Sequence, residues 1–150
     1  MSPTVKAFDE LSTSELHALL RLRCDVFVVE QRCAYPEVDG RDLEPGTRHV
    51  WFGDGPEISA YLRVLAEPRG VVRIGRVVTN PAERGRGLAA SLVRHITATT
   101  DAPVVLDAQT YLVDWYRRLG FEVAGDEFVE DGIPHVPMHR DRRATRPISG

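Results

Sequence analysis

A run of mostly β-branched residues, Val71 to Thr79, stops at Asn80-Pro81, and the chain then turns through Arg84-Gly85-Arg86-Gly87-Leu88-Ala89. Apolar residues follow at helical spacing, at Leu88, Leu92, Val93 and Ile96. A strand, a glycine turn and a helix in that order bring successive backbone N–H groups and a positive helix end together, where an anion can be held. The two glycines allow close backbone approach, and the two arginines offer charge that a diphosphate can share. The alternative reading of these six residues is an ordinary helix start with solvated arginines. A P-loop is excluded, because no Lys-Ser/Thr follows the glycines. A dinucleotide-binding fold is excluded too, because no G-x-G-x-x-G follows a first strand near the start of the chain.

What surrounds the turn sets the fold class. Ser12-Thr13-Ser14-Glu15 has capping-box spacing, and Leu16, Leu19, Leu20, Arg23, Val26 and Phe27 recur at helical intervals, which predicts a helix over Thr13 to Val29. Gln31 to Thr47 has no period and concentrates Glu37, Asp39, Asp42 and Glu44, an acidic loop with room for a short helical turn. His49 to Phe52, a Gly53-Asp54-Gly55-Pro56 turn and the alternating run Ile58 to Leu65 predict an antiparallel hairpin, with Val71 to Thr79 as the third strand of the meander. Beyond the turn and its helix, Pro103 to Ala108 is a buried strand whose crossover makes it parallel to Val71–Thr79. A short helix over Val113 to Leu119 follows, and Glu122–Val129 and Ile133–Met138 form a hairpin around Asp131-Gly132. Antiparallel strands before the turn and a parallel one after it make an α+β fold of mixed kind.

The 150 residues, 43% hydrophobic, suit one domain, expected over 1–140 with a basic, loose tail over 141–150. Residues 1 to 139 carry 15 cationic against 21 acidic side chains, a net −6. That balance speaks against a nucleic-acid partner and suits a cationic one. No apolar run approaches membrane-spanning length, and one lysine with no apolar run behind it opens the chain, so a cytoplasmic protein with no membrane partner is expected. Cys24 and Cys33 have no second pair, and His49 and His135 lack ligand spacing, so no metal is expected.

The turn resembles the coenzyme motif of the GNAT N-acetyltransferases, Gln/Arg-x-x-Gly-x-Gly/Ala between a strand and a helix, with Arg84, Gly87 and Ala89 at the matching positions. A second family landmark, an aromatic-Tyr-x-x-x-Gly-Phe segment, stands at Trp115-Tyr116-Arg117-Arg118-Leu119-Gly120-Phe121. Arg23 to Gln31, Asp39-Gly40, Arg48-His49, Ile74-Gly75-Arg76-Val77 and Glu130 to His135 look like the ElaA-type branch, so the resemblance spans nearly the whole chain.

The resemblance implies a mostly antiparallel sheet of six to seven strands flanked by about four helices. It further implies an acetyl-CoA co-substrate. The pantetheine arm would lie along Val77, Val78 and Thr79, the diphosphate would sit on Arg84, Gly85, Arg86, Gly87, Leu88 and Ala89, and Gln109, Asp114 and Tyr116 would face the thioester, with Trp115 in the core. A primary amine, free or protein-borne, would attack the thioester directly, with a backbone N–H near Val77 holding the oxyanion. Tyr116 is the expected acid at sulfur, since a phenol stays protonated at neutral pH. Its alternative is a helix residue packed on the sheet. The base stays open among Glu30, Asp39, His49, Asp107, Glu130 and His135, with Glu30 and His135 ranked first for lying in the branch-like segments. The acidic loop either draws a cationic acceptor or is a solvated face. The resemblance also carries the expectation of a homodimer. Two rival readings are a non-catalytic acyl-CoA-binding module and an acyl-homoserine-lactone synthase, whose larger size speaks against it.

Overall fold

Ser12 caps the first helix of the computed structural model, which describes residues 2–54 and 56–141. Its Oγ accepts from Glu15 N at 3.0 Å while Glu15 Oε1 accepts from Ser12 N at 2.9 Å, the reciprocal box read from the sequence. This helix, α1, runs over Thr13–Arg23 and continues in π geometry over Cys24–Glu30. The i→i+5 bonds from Gln31 N to Val26 O and from Cys33 N to Val28 O mark the wider turns. The expected single helix to Val29 is thus two geometries, and the change falls where β-branched Val26, Val28 and Val29 replace good helix formers.

The sheet has the order β1 (Thr4–Lys6), β2 (Arg48–Asp54), β3 (Glu57–Ala66), β4 (Val72–Thr79), β5 (Val104–Gln109), β8 (Ile133–Arg140) and β6 (Glu122–Val123), with β7 (Phe128–Glu130) also on β8. All pairings are antiparallel except β4 with β5, as the crossover through α2 (Leu88–Thr99) requires. With α3 (Val113–Arg118) this makes the α+β fold expected, at eight strands and three α-helices among the described residues. The expected strand Glu122–Val129 is split. Pro137 on β8 has no N–H to continue the ladder, and its ring packs against Gly125, so β6 stops at Val123 and β7 starts at Phe128. From residue 142 on, the expected basic tail lies outside the described residues, as does Gly55 of the first hairpin turn.

Strand alternation divides the core. Val50, Phe52, Ala60 and Leu62 face α2 and α3, where Leu92, Val93, Tyr116 and Phe121 complete one cluster. Trp51, Ile58 and Tyr61 face the other way and pack on Ala18, Leu19, Leu22 and Val26 of the first helix. At about 25 cal/mol per Å² of apolar surface removed from water, these two clusters supply most of the drive to fold.

On the α1 side the sheet also buries charge. Arg23 is fully buried, and its guanidinium donates to Glu37 Oε1 at 2.6 Å, to Asp42 Oδ1 at 2.7 Å and to Asp42 Oδ2 at 3.1 Å. Arg63 joins at Asp42 (3.2 Å) and at Asp39 (2.6 Å). Arg76 reaches Asp39 Oδ2 at 3.3 Å and the Glu37 carbonyl at 3.2 Å, and its guanidinium lies over the Tyr35 ring. Tyr35 donates its hydroxyl to Glu37 Oε2. The reading of the acidic loop as a solvated face is corrected here: Glu37 and Asp42 are 4% and 5% exposed, because three arginines of the sheet and first helix pull the loop inward. Burial alone would raise the Asp39 and Asp42 carboxyls, but hydrogen bonds from Arg63 and Arg23 outweigh it and hold both below the usual carboxylate range.

His49 closes the network. Its Nε2 lies 3.0 Å from the Asp42 carbonyl, which can only accept, so Nε2 carries the proton and Nδ1 accepts from the Tyr61 hydroxyl at 2.7 Å. Desolvation pushes this imidazole below its ordinary value, helped by the charges of Arg23 and Arg63 against the opposing pull of Asp42.

Removing the Arg23 charge takes from the buried Glu37 and Asp42 their closest cation and leaves Glu37 to Arg76 and Asp42 to Arg63. Arg23→Met is expected to lose about 3–5 kcal/mol of stability in urea denaturation. The depressed His49 pKa means that the unfolded chain takes the proton first. Its contribution is therefore complete above about pH 6.5 and declines as pH falls; that of Asp39 and Asp42 is complete above about pH 4 and is lost below it. Urea midpoints measured from pH 7.5 to 3 are expected to fall in these two stages, and His49→Gln is expected to lack the first.

Candidate active site

Gly75 stands in the middle of β4, and the register there slips: Arg63 pairs Gly75 and Tyr61 pairs Val78, so Arg76 and Val77 together oppose Leu62. This is a β-bulge. Arg76 adopts φ 54°, a left-handed conformation that costs an L-residue about 1–2 kcal/mol. The contacts of its side chain to Glu37, Asp39 and Tyr35 offset that. The extra residue also reverses the faces beyond it, so that Val77 packs with Ile74 on the α2 side while Val78 packs with Tyr61 on the α1 side.

The bulge opens the sheet. β4 and β5 pair only at Val72 with Val104 and Arg73 with Val105. Beyond that point the edge of β4 from Gly75 to Thr79 and the strand β5 from Leu106 to Gln109 line a cleft of about 910 Å³ instead of bonding to each other. β4 is held on its far side by β3, so this edge is rigid and has main-chain groups to offer.

The sequence-derived site residues fall as follows. Val77, Val78, Thr79, Arg84, Ala89, Gln109 and Tyr116 line the cleft, and so do Glu30 and His135. Gly85 and Gly87 have φ of 86° and 72°, which only glycine adopts at little strain, and they aim the chain into α2. Gly87 is the helix N-cap with no side-chain cap, and the first amide after it to bond within the helix is Ser91 N, to Gly87 O. The amides of Leu88, Ala89 and Ala90 precede that bond and are open to an anion. Arg86 pairs with Glu83, and Arg84 Nη2 lies 2.6 Å from Glu30 Oε1 across the cleft. Asp114 is not among the cleft residues; it pairs with Arg117 at 3.2 Å on the outer face of α3. Trp115 packs on the core and also lines the cleft.

Tyr116 is 6% exposed, edge-on to Trp115 and to Phe121. Desolvation, with a smaller push from Tyr111, raises its phenol pKa, so it is protonated throughout the neutral range. Of the six base candidates, His49 is sealed in the ionic network, Asp39 is held by Arg63, Asp107 is paired with Arg73 at 3.1 Å and Glu30 with Arg84. Glu130 lines the cleft on an exposed strand. His135 sits opposite Gln109 on β8 and stacks on Phe128. Its Nδ1 is 2.8 Å from the Ile133 carbonyl, which fixes the proton on Nδ1 and leaves Nε2 with a free lone pair.

Sequence reasoning missed Arg76, Arg63 and Tyr35 as walls of the cleft. The glycine inside a strand pattern at Gly75 was the available signal for the bulge. Among the described residues no group of three or more His, Cys, Asp or Glu is placed to hold a metal ion, and no helix is long and apolar enough to cross a membrane.

A family model described as an acetyltransferase (GNAT) domain matches residues 23–142. A UPF0039 protein of Mycobacterium tuberculosis is 48% identical over 137 residues, covering 87% of each chain. The solved structure of an acyl-CoA N-acyltransferase from Pseudomonas aeruginosa superposes with a TM-score of 0.84 at 43% identity, covering 93% of this chain and 99% of that one. Escherichia coli ElaA superposes with a TM-score of 0.85 at 39% identity, covering 93% and 99%.

Proposed function

This chain belongs to the GNAT acetyltransferase family, and on that premise we propose that it transfers an acetyl group from acetyl-CoA to a primary amine by direct attack. The observation that carries the proposal is the splayed strand pair. It leaves the β4 edge from Gly75 to Thr79 open for a main-chain-like arm and leads it to a glycine turn built for an anion. The residues fit an acyl-CoA. Backbone groups of Val77, Val78 and Thr79 match the amides of the pantetheine, and the amides opening α2, with Arg84, match the diphosphate.

The chemistry then follows from the walls of the cleft. His135 Nε2 takes the proton from the incoming ammonium, making the neutral amine that attacks the thioester carbonyl. A backbone N–H near Val77 receives the oxyanion of the tetrahedral intermediate. As the intermediate collapses, sulfur leaves and Tyr116 donates to it, and the second proton lost from the amine nitrogen restores the phenol. Its raised pKa makes the phenol a reluctant acid but ensures that the proton is present when sulfur becomes negative. The products are the amide and free coenzyme A. Glu130 and Asp131, at the tip of the β7–β8 hairpin, add negative charge to the mouth of the cleft and suit a cationic acceptor, free or protein-borne.

The test is thiol release from acetyl-CoA across a panel of primary amines. Turnover of at least one amine is expected. Tyr116→Phe is expected to lower kcat by about 10²–10⁴ with coenzyme affinity kept, and His135→Gln to lose turnover by a similar factor. Coenzyme binding with no acetylation of any amine would instead mark a non-catalytic acyl-CoA-binding module.

A further inference from the structure

Both arginines of the glycine turn hold carboxylates. Arg86 takes Glu83, its neighbour in sequence, but the partner of Arg84 arrives from the other wall of the cleft: Glu30, at the end of the π-helical segment, 54 residues away. The Arg84–Glu30 contact, at 2.6 Å, is a charge-assisted hydrogen bond lying where an anionic ligand of the turn would compete for the same guanidinium. Both side chains are about half exposed, at 48% and 44%, so the pair is too solvated to be a fold-holding bridge. Its neighbour Gln31 reaches Gln109 on β5, which keeps the segment against the cleft.

We infer that Glu30 is an internal stand-in for the diphosphate: its carboxylate occupies Arg84 until the coenzyme arrives, and binding exchanges one anion for the other. The inference rests on the acyl-CoA reading above. It makes Glu30 a positioning residue that acts through Arg84 and sets coenzyme affinity, and it leaves the base role with His135. The exchange runs toward the coenzyme because a diphosphate brings more charge to Arg84 than one carboxylate, and because the α2 amides add donors that Glu30 does not use. On release, the Glu30 carboxylate adds a negative charge to the wall of a cleft meant for an ammonium, so the coenzyme is expected to precede the amine.

The experiment is calorimetric titration of coenzyme A into the parent, Glu30→Gln, Arg84→Gln and the double variant, with circular-dichroism melts showing all four folded. Glu30→Gln is expected to tighten binding by up to about fivefold, the upper end of what an exposed ion pair is worth. Arg84→Gln is expected to weaken it, and adding Glu30→Gln to that variant is expected to change nothing further. Unchanged or weaker binding in Glu30→Gln overturns the exchange and leaves the acyl-CoA reading standing. Tightening that persists without Arg84 also overturns it, since Glu30 would then act by repulsion through space. No binding by the parent overturns both.

Discussion

Three arginines and three carboxylates meet on one face of the sheet, with Arg23, Arg63, Glu37 and Asp42 buried, and the arrangement of the cleft follows from how they pair. Arg23 on the first helix, Arg63 on β3 and Arg76 on β4 converge on Glu37, Asp39 and Asp42 of a loop with little apolar content of its own. Hydrophobic burial cannot hold such a loop. Charge pairing does so, and Tyr61 and His49 take up remaining hydrogen-bonding capacity around Arg23 and Asp42. A buried ionic cluster of this sort adds little net stability compared with apolar packing, but it admits few alternative arrangements, because a misplaced member strands a charge.

That selectivity reaches the chemistry through Arg76. Its backbone is the bulge that turns β4 away from β5, and its side chain is tied to the loop by Glu37 and Asp39. The strained φ of Arg76 and the ionic network therefore hold one another in place. The consequence is an open strand edge within a rigid sheet, a place where a ligand can complete the ladder. On one wall of the cleft stand Tyr116 and Trp115 from the α2 side; on the other stand Tyr35, Asp39 and Arg63 from the α1 side. A thioester and an amine can thus approach one another from opposite faces of the sheet.

Much of this was legible in the sequence, because local rules governed it. The capping box at Ser12 and Glu15, the glycine turn at Gly85 and Gly87, and the parallel crossover into β5 each rest on a spacing of a few residues. The two landmarks around Arg84 and Tyr116 marked the cleft. What stayed hidden depends on long-range pairing. The acidic loop looks solvated by composition, and its Glu37 and Asp42 are buried only because cations 14 to 39 residues away meet the loop. A hint was present in Arg23, which shares the helical interval of Leu19 and Val26 and so sits on a buried face. The tautomer of His135 and the partner of Glu30 are set by a carbonyl and an arginine that no spacing announces. The break between β6 and β7 was readable in principle, since Pro137 lies opposite the expected strand.

The central claim is that the open edge of β4 and the turn that follows it receive an acyl-CoA. Amide chemical shifts of the labelled protein, followed by NMR during titration with acetyl-CoA, address that claim at the residues themselves. The largest shifts are expected at Val77, Val78 and Thr79 and at the amides from Gly85 to Ala90, with His49 and its buried neighbours little changed. Saturating acetyl-CoA with no shifts at these amides, or shifts concentrated away from the β4–β5 cleft, would contradict it.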